Sequence, residues 1–98
     1  MKIFVSQPMA DRTDEDILKE REAMFDIADR LTGKAVERIE SFYPGAPYGA
    51  KPLWFLGKAL EKLSTADAVI FAPGWEKARG CIMEHEAAVR YGIPILVD

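Results

Sequence analysis

Residues 66–97, ADAVIFAPGWEKARGCIMEHEAAVRYGIPILV, decide the fold. They hold a near-continuous apolar run at 66–72, a helical segment from about Gly80 to Tyr91, and a second apolar run at 94–97. Strands of a parallel sheet that is covered on both faces are continuously apolar rather than alternating. A strand that crosses over through a helix to a second strand in the same sheet forms a right-handed, parallel unit. The stretch therefore predicts a βαβ unit.

The rest of the chain continues this alternation. Lys2–Ser6 predicts a buried strand that Pro8 ends, because proline cannot donate to a central ladder. A helix follows from the N-cap Thr13 to a stop at Gly33, and residues 35–41 predict a weaker strand. The order β-α-β-loop-α-β-α-β indicates one α/β domain spanning residues 1–98. We expect a minimal doubly wound, flavodoxin- or Rossmann-like parallel sheet of about four strands, with helices on both faces.

Two predicted helices have apolar residues at helical spacing, which marks the face that packs on the sheet. In the helix after Thr13 these are Ile17, Leu18, Met24, Phe25, Ala28 and Leu31. In the helix that starts at Pro52 they are Leu53, Leu56, Leu60 and Leu63. Gly57 interrupts the second helix at a cost of roughly 1 kcal/mol relative to alanine, which predicts a close contact there with backbone or with a ligand. Residues 42–52, rich in proline, glycine and aromatics, predict a long functional loop in which Tyr43 and Tyr48 either cover a cleft or lie on the surface.

Composition narrows the function classes. The net charge is −3, with 13 Lys and Arg among 16 acids, which argues against a nucleic-acid polymer or an anionic membrane as partner. One cysteine and one histidine exclude a structural zinc site, and no cofactor motif is present. The lone cysteine, the missing signal-peptide pattern and the lack of a long apolar run predict a cytoplasmic protein without metal or cofactor. A sheet this small predicts a homodimer or a higher closed oligomer.

Ligands of open parallel sheets bind beyond the carboxyl ends of the strands, where the strand order switches direction. Two loops lie there: residues 6–9, with Ser6, Gln7 and Pro8, and residues 73–80. In the second loop, Gly74 and Gly80 let backbone approach a ligand, Arg79 offers a bidentate grip on a phosphate, and Trp75 either stacks on a base or seals the core edge.

The stretch from Ala66 to Ile95, with the spacing Gly80, Glu84 and Ala88, resembles the nucleoside 2-deoxyribosyltransferase-like family. Together with the opening residues 2–9 it is most similar to a short bacterial and phage branch of unknown function, and the resemblance covers essentially the whole chain. It implies a nucleoside-binding α/β fold with Glu84 as nucleophile on the anomeric carbon. That glutamate would expel the base and leave a glycosyl-enzyme for water or another base to resolve.

Two positions depart from the pattern that the resemblance implies. Family enzymes tend to have a tyrosine on the first strand that orients the nucleophile, where this chain has Phe4. They also tend to have an aspartate where this chain has Ala59, eight residues before Asp67. Glu76 or Glu86 could rebuild the chemistry. Glu84 itself is placed in the first turn of its helix, where the dipole favours a charged carboxylate, and Asp67 is expected to support the loop before its strand.

The sequence therefore leaves three hypotheses. The first is a nucleoside or nucleotide N-glycosidase or 2-deoxyribosyltransferase with Glu84 as nucleophile. The second, which Phe4 and Ala59 favour, is a nucleotide-binding module without turnover that serves as a sensor or sponge. The third is an interaction protein. His85 is interpreted as a solvated helix residue and Cys81 as a packing residue.

Overall fold

The computed structural model describes residues 1–41 and 48–97 of the chain. Its core is a parallel sheet of four strands in the order β2-β1-β3-β4, which confirms the predicted doubly wound α/β fold. The elements, in chain order, are β1 (Lys2–Ser6), α1 (Asp14–Thr32), β2 (Glu37–Arg38), α2 (Pro52–Leu63), β3 (Ala68–Phe71), a 3-10 turn (Trp75–Lys77), α3 (Arg79–Arg90) and β4 (Ile95–Val97).

Each face of the sheet has its own buried cluster, because side chains alternate along a strand. Ile3 and Val5 of β1 pack with Phe25 and its neighbours on α1. Phe4 of β1 points to the opposite face and packs with Ala59 of α2, Ala88 of α3 and their neighbours. The helices thus cover both faces, with α1 on one and α2 and α3 on the other.

Helix α1 begins and ends where the sequence predicts. The Thr13 hydroxyl accepts a hydrogen bond from the Asp16 amide at 3.1 Å, and Gly33 ends the helix in the left-handed conformation at φ 78°. The predicted buried face is wrong at its edges, because Leu18 and Leu31 are half exposed. The position between Ile17 and Phe25 on the buried face is taken by Arg21 instead.

Helix α2 departs further from its predicted face. Of its four leucines, Leu63 is buried, whereas Leu53 is 73% exposed. Ala59 occupies the buried face, because the helix packs on α3 and the sheet along a narrow stripe. The close backbone contact predicted at Gly57 is also wrong, because a Cβ built there meets no heavy atom of the described protein within 4 Å, while the alternative of a ligand contact stays a prediction.

Two hydrogen bonds between Lys2 and Asp67 join the strands at the amino end of the sheet. The Lys2 amide donates to Oδ2 of Asp67 at 2.7 Å, and the Asp67 amide donates to the Lys2 carbonyl at 2.8 Å. This pair fixes the start of β1 against the start of β3, which is the supporting position predicted for Asp67.

Strand β2 is shorter than the predicted 35–41, although the Ile39 amide still donates to the Ile3 carbonyl at 3.1 Å. Of the predicted loop, residues 42–47 lie outside the described residues, and with them Tyr43, while Tyr48 is fully exposed. Among the described helices, none is long and apolar enough to cross a membrane.

Candidate functional site

A cavity of about 550 Å³ opens at the carboxyl ends of β1 and β3, where the strand order switches direction. Its volume lies in the range of sites for small molecules. The loop after β1 forms one wall, α2 forms another, and the start of α3 closes it. Its wall is largely apolar, with Phe4, Met9, Phe55 and Leu56 among the lining residues, and its charged lining residues are Lys77, Arg79 and Glu84.

Glu84 lines this cavity and is 8% exposed. The Ser6 hydroxyl donates to Oε1 of Glu84 at 2.6 Å. Ser6 is the last residue of β1 and is 1% exposed. Among the described residues that line the cavity Ser6 is absent, so it positions the carboxylate from behind.

The environment of Glu84 differs from the expected one. Helix α3 begins at Arg79, which puts Glu84 in the second turn, where the dipole contributes little. Burial raises the pKa of the Glu84 carboxyl from 4.5 to about 7, against the opposing effects of the Ser6 hydrogen bond and the positive charge of Arg21. The expected first-turn position is therefore wrong. A carboxyl that titrates near neutral pH in a cleft is nevertheless typical of catalytic sites.

Arg21 anchors a polar network behind the site. Its guanidinium donates to Oε1 of Gln7 at 3.0 Å and to the Ile39 carbonyl at 3.3 Å, and it also donates to the Ser41 hydroxyl. The Gln7 amide donates to the Ile17 carbonyl and to Glu20, each at 3.1 Å. Gln7 lines the cavity, but both its amide donors are already used within the protein.

The other predicted ligand contacts divide into two groups. Pro8, Arg79 and Gly80 line the cavity. Gly74 and Trp75 are not among its described lining residues. Trp75 instead stacks on His85, with ring centroids 4.2 Å apart and planes 7° apart, and packs against Phe71. It occupies the core-edge position, the second of its two predicted interpretations.

The backbone conformation at position 74 requires glycine. Its φ of 85° is left-handed, and a Cβ built on it would lie 3.8 Å from the Pro8 side chain. It brings the loop after β3 against the loop after β1, which shapes the rim beside the cavity.

Phe4 and Ala59 are the two positions at which the chain differs from the pattern that the resemblance implies. Both residues line the cavity that contains Glu84. Phe4 is 1% exposed and Ala59 is 9% exposed. The two candidates for rebuilding the chemistry lie elsewhere: Glu76 is exposed in the 3-10 turn, and exposed Glu86 pairs with Arg90 along the helix. Neither is among the described lining residues.

The single cysteine, Cys81, is buried and lines the cavity, whereas the single histidine, His85, packs against Trp75. Burial raises the pKa of the Cys81 thiol to about 11, although a hydrogen bond with Ser6 opposes the shift. Such a thiol is protonated at neutral pH and is not a nucleophile. His85 is half-buried against Trp75, so its interpretation as a solvated residue is wrong.

Sequence reasoning missed Arg21 and Ser41, the buried polar residues that tie the loop after β1 to the chain after β2. A signal for Arg21 was present. It lies four residues after Ile17 and four before Phe25, and therefore on the buried face of α1. A charged residue at such a position needs partners that satisfy it. The chain offers no comparable local signal for Ser41.

A scan against models of protein families, a search of curated proteins and a search of solved structures each found no match to this chain.

Proposed function

We propose that this protein is an N-glycosidase or 2-deoxyribosyltransferase that acts on nucleosides or nucleotides with Glu84 as its nucleophile. The observation that carries the proposal is the Glu84 carboxyl itself. It is buried, it lines a cavity at the switch point of the sheet, and the Ser6 hydroxyl donates to it at 2.6 Å. The chemistry is that of a retaining glycosidase, in which a carboxylate attacks the anomeric carbon.

Ser6 supports this proposal by supplying a hydroxyl that the resemblance implies at position 4. Phe4 cannot orient a carboxylate, but Ser6 lies two residues further along β1, and residues two apart point to the same face of a strand. Ser6 is thus a positioning residue. Its hydroxyl donates to Oε1, and Oε2 would then be the atom that attacks the sugar.

The substrate would lie between the loop after β1 and the start of α3. Pro8 and Gly80 would contact it, Arg79 would bind a 5′-phosphate, and Gln7 would hold the loop in shape through Arg21. The cavity wall of Phe55 and Leu56 offers an apolar surface for a base. No cofactor is assigned, and a cytoplasmic location is part of the proposal.

The test is base release from a panel of nucleosides and nucleotides, followed by chromatography. Glu84→Gln should lower base release by at least about 100-fold, because the nucleophile acts in the transition state. Ligand binding should remain. Glu86→Gln is the matched control, since Glu86 lies on the same helix but is exposed and paired with Arg90. Equal activity of the Glu84 variant and the control would exclude the nucleophile role.

A nucleotide-binding module without turnover is the second candidate. Its specific support is that Phe4 and Ala59 both line the cavity and leave it without two polar groups that the implied mechanism uses. Tight nucleotide binding by the native protein with no base released after prolonged incubation would select this function.

We also propose that the protein forms a homodimer or higher closed oligomer. Leu53 and Phe55 of α2 and Ile82 and Met83 of α3 are between 40% and 73% exposed. Exposed apolar groups of this kind on neighbouring helices are typical of interfaces. Light scattering at micromolar concentration should give at least twice the mass of one 11.0 kDa chain, and a monomer mass would contradict the proposal.

A further inference from the structure

The cavity offers a single carboxylic acid. Among its described lining residues, Glu84 is the one carboxylate. The sequence of residues 42–47, FYPGAP, contains no Asp, Glu or His. With a pKa of about 11, the Cys81 thiol is a weak proton donor. If Glu84 attacks the sugar, the described site has no second carboxyl to protonate what leaves.

A neutral purine or pyrimidine needs that proton. When its bond to the sugar breaks, the electron pair goes to the ring nitrogen, and a positioned acid typically speeds such departures by about 10²–10⁴-fold. Retaining glycosidases divide the work between two carboxyls for this reason. A ring that is attached through a positively charged nitrogen is different. It accepts the electron pair and departs as a neutral molecule, so it needs no proton donor.

The charges of the site fit such a ring. Glu84 is a buried lining residue, while Lys77 at the end of the 3-10 turn and Arg79 at the start of α3 are exposed lining residues. Neither cation forms an ion pair with a carboxylate of the described residues. An adjoining cavity of about 430 Å³ shares Arg79 and adds Lys51. The Glu84 carboxylate is therefore the negatively charged partner that the described lining offers to a cationic ring, and the exposed Lys77 and Arg79 are the partners that it offers to a phosphate.

Resting on the proposed function, we propose that the preferred substrates are nucleotides whose base is a positively charged ring, such as an N-ribosylpyridinium 5′-phosphate. The ring would lie beside Glu84 against Phe55 and Leu56, and its phosphate would lie at Lys77 and Arg79. A cationic ring also favours the ionised form of a neighbouring carboxyl. A cationic ring would thus stabilise the ionised Glu84 carboxylate, which burial disfavours. A neutral base would not do so.

The step balances without an acid. An Oε atom of Glu84 forms a bond to C1′, and the bond from C1′ to the ring nitrogen breaks with its electron pair on that nitrogen. Water then attacks C1′, the ester bond to Glu84 breaks with its pair on Oε, and one proton passes to solvent. The products are the free neutral pyridine, the sugar phosphate and a proton.

The experiment compares two ligands of nearly equal shape and opposite leaving-group character. N-Ribosylnicotinamide 5′-phosphate carries a cationic ring, and its reduced dihydro form carries a neutral one. Both are incubated with the native protein beside a panel of neutral purine and pyrimidine deoxynucleotides. Chromatography then measures free base. Glu84→Gln gives the spontaneous rate, and Glu86→Gln is the control for folding.

We expect the cationic ring to be released at least about 100-fold faster than the reduced form or the neutral bases, after subtraction of the Glu84→Gln rate. Ala59→Asp, which places a second carboxyl in the cavity, should raise release of neutral bases about tenfold or more. Release of neutral bases at a rate similar to the cationic ring would overturn this inference and leave the proposed function standing. No release of any base, or equal release by Glu84→Gln, would overturn both.

Discussion

Each end of the sheet has one carboxylate that accepts a hydrogen bond, and the two differ in their exposure to water. At the amino end, Asp67 is exposed and accepts the Lys2 amide at 2.7 Å. At the carboxyl end, Glu84 is 8% exposed and accepts the Ser6 hydroxyl at 2.6 Å. The two hydrogen bonds are almost equal in length. Burial is what separates the residues, because taking a carboxylate out of water disfavours its charged form.

Glu84 thereby becomes sensitive to pH near neutrality. Burial raises the pKa of its carboxyl to about 7, and the nearby charge of Arg21 and the bond from Ser6 only partly oppose the shift. A hydrogen-bonded carboxylate near the end of a sheet is therefore not by itself a functional signal. A cavity above it and a desolvated environment make the difference.

The largest expected effect is on stability. A carboxyl whose pKa is raised from 4.5 to about 7 on folding stabilises the native state fully below pH 4.5. That contribution is lost as the pH rises through 7, since the unfolded chain is then ionised and the native one resists ionisation. Between pH 5 and pH 8 the free energy of unfolding should fall by roughly 2–3 kcal/mol more in the native protein than in Glu84→Gln.

Denaturant unfolding at the two pH values measures this difference. Asp67→Asn is the matched control at the other end of the sheet, and it should follow the pH dependence of the native protein. If Asp67→Asn, rather than Glu84→Gln, reduced the pH dependence of the free energy of unfolding, the contrast drawn between the two carboxylates would be wrong.

A smaller effect is expected on the rate of base release. If Glu84 must be ionised to attack, kcat/KM should rise about tenfold per pH unit below 7 and level off above it. The groups that face this carboxyl are Ser6 from β1, Arg21 from α1 and Cys81 from its own helix. A rate that instead falls above pH 7 would assign Glu84 the role of proton donor. Asp67→Asn should leave the profile unchanged.

Much of the fold could be predicted from the sequence, because it depends on local rules. The continuous apolar run at 66–72 and the helical spacing after Thr13 each fix an element without reference to distant residues. The apolar faces were less predictable. Leu18 and Leu53 are exposed although they match helical periodicity, since the width of a buried stripe depends on what packs against it.

The sequence also located the cavity, since the carboxyl ends of β1 and β3 lie together in any parallel sheet of this order. The sequence did not decide which of the predicted site residues line the cavity. Trp75 and Gly80 follow the same strand and are five residues apart, yet Gly80 lines the cavity while Trp75 stacks on His85. Which residues of this segment line the cavity depends on how the 3-10 turn and α3 pack against the sheet.

By itself, then, the sequence determined the order of elements, the parallel sheet and the edge at which a ligand site can form, because apolar periodicity and short right-handed connections allow few alternatives. The tertiary structure alone decided that Glu84 is desolvated and that Ser6, 78 residues away in the chain, holds it. It also decided that Arg21 lies buried behind the site. Burial and charge proximity are properties of residues far apart in the chain, and no local pattern encodes them.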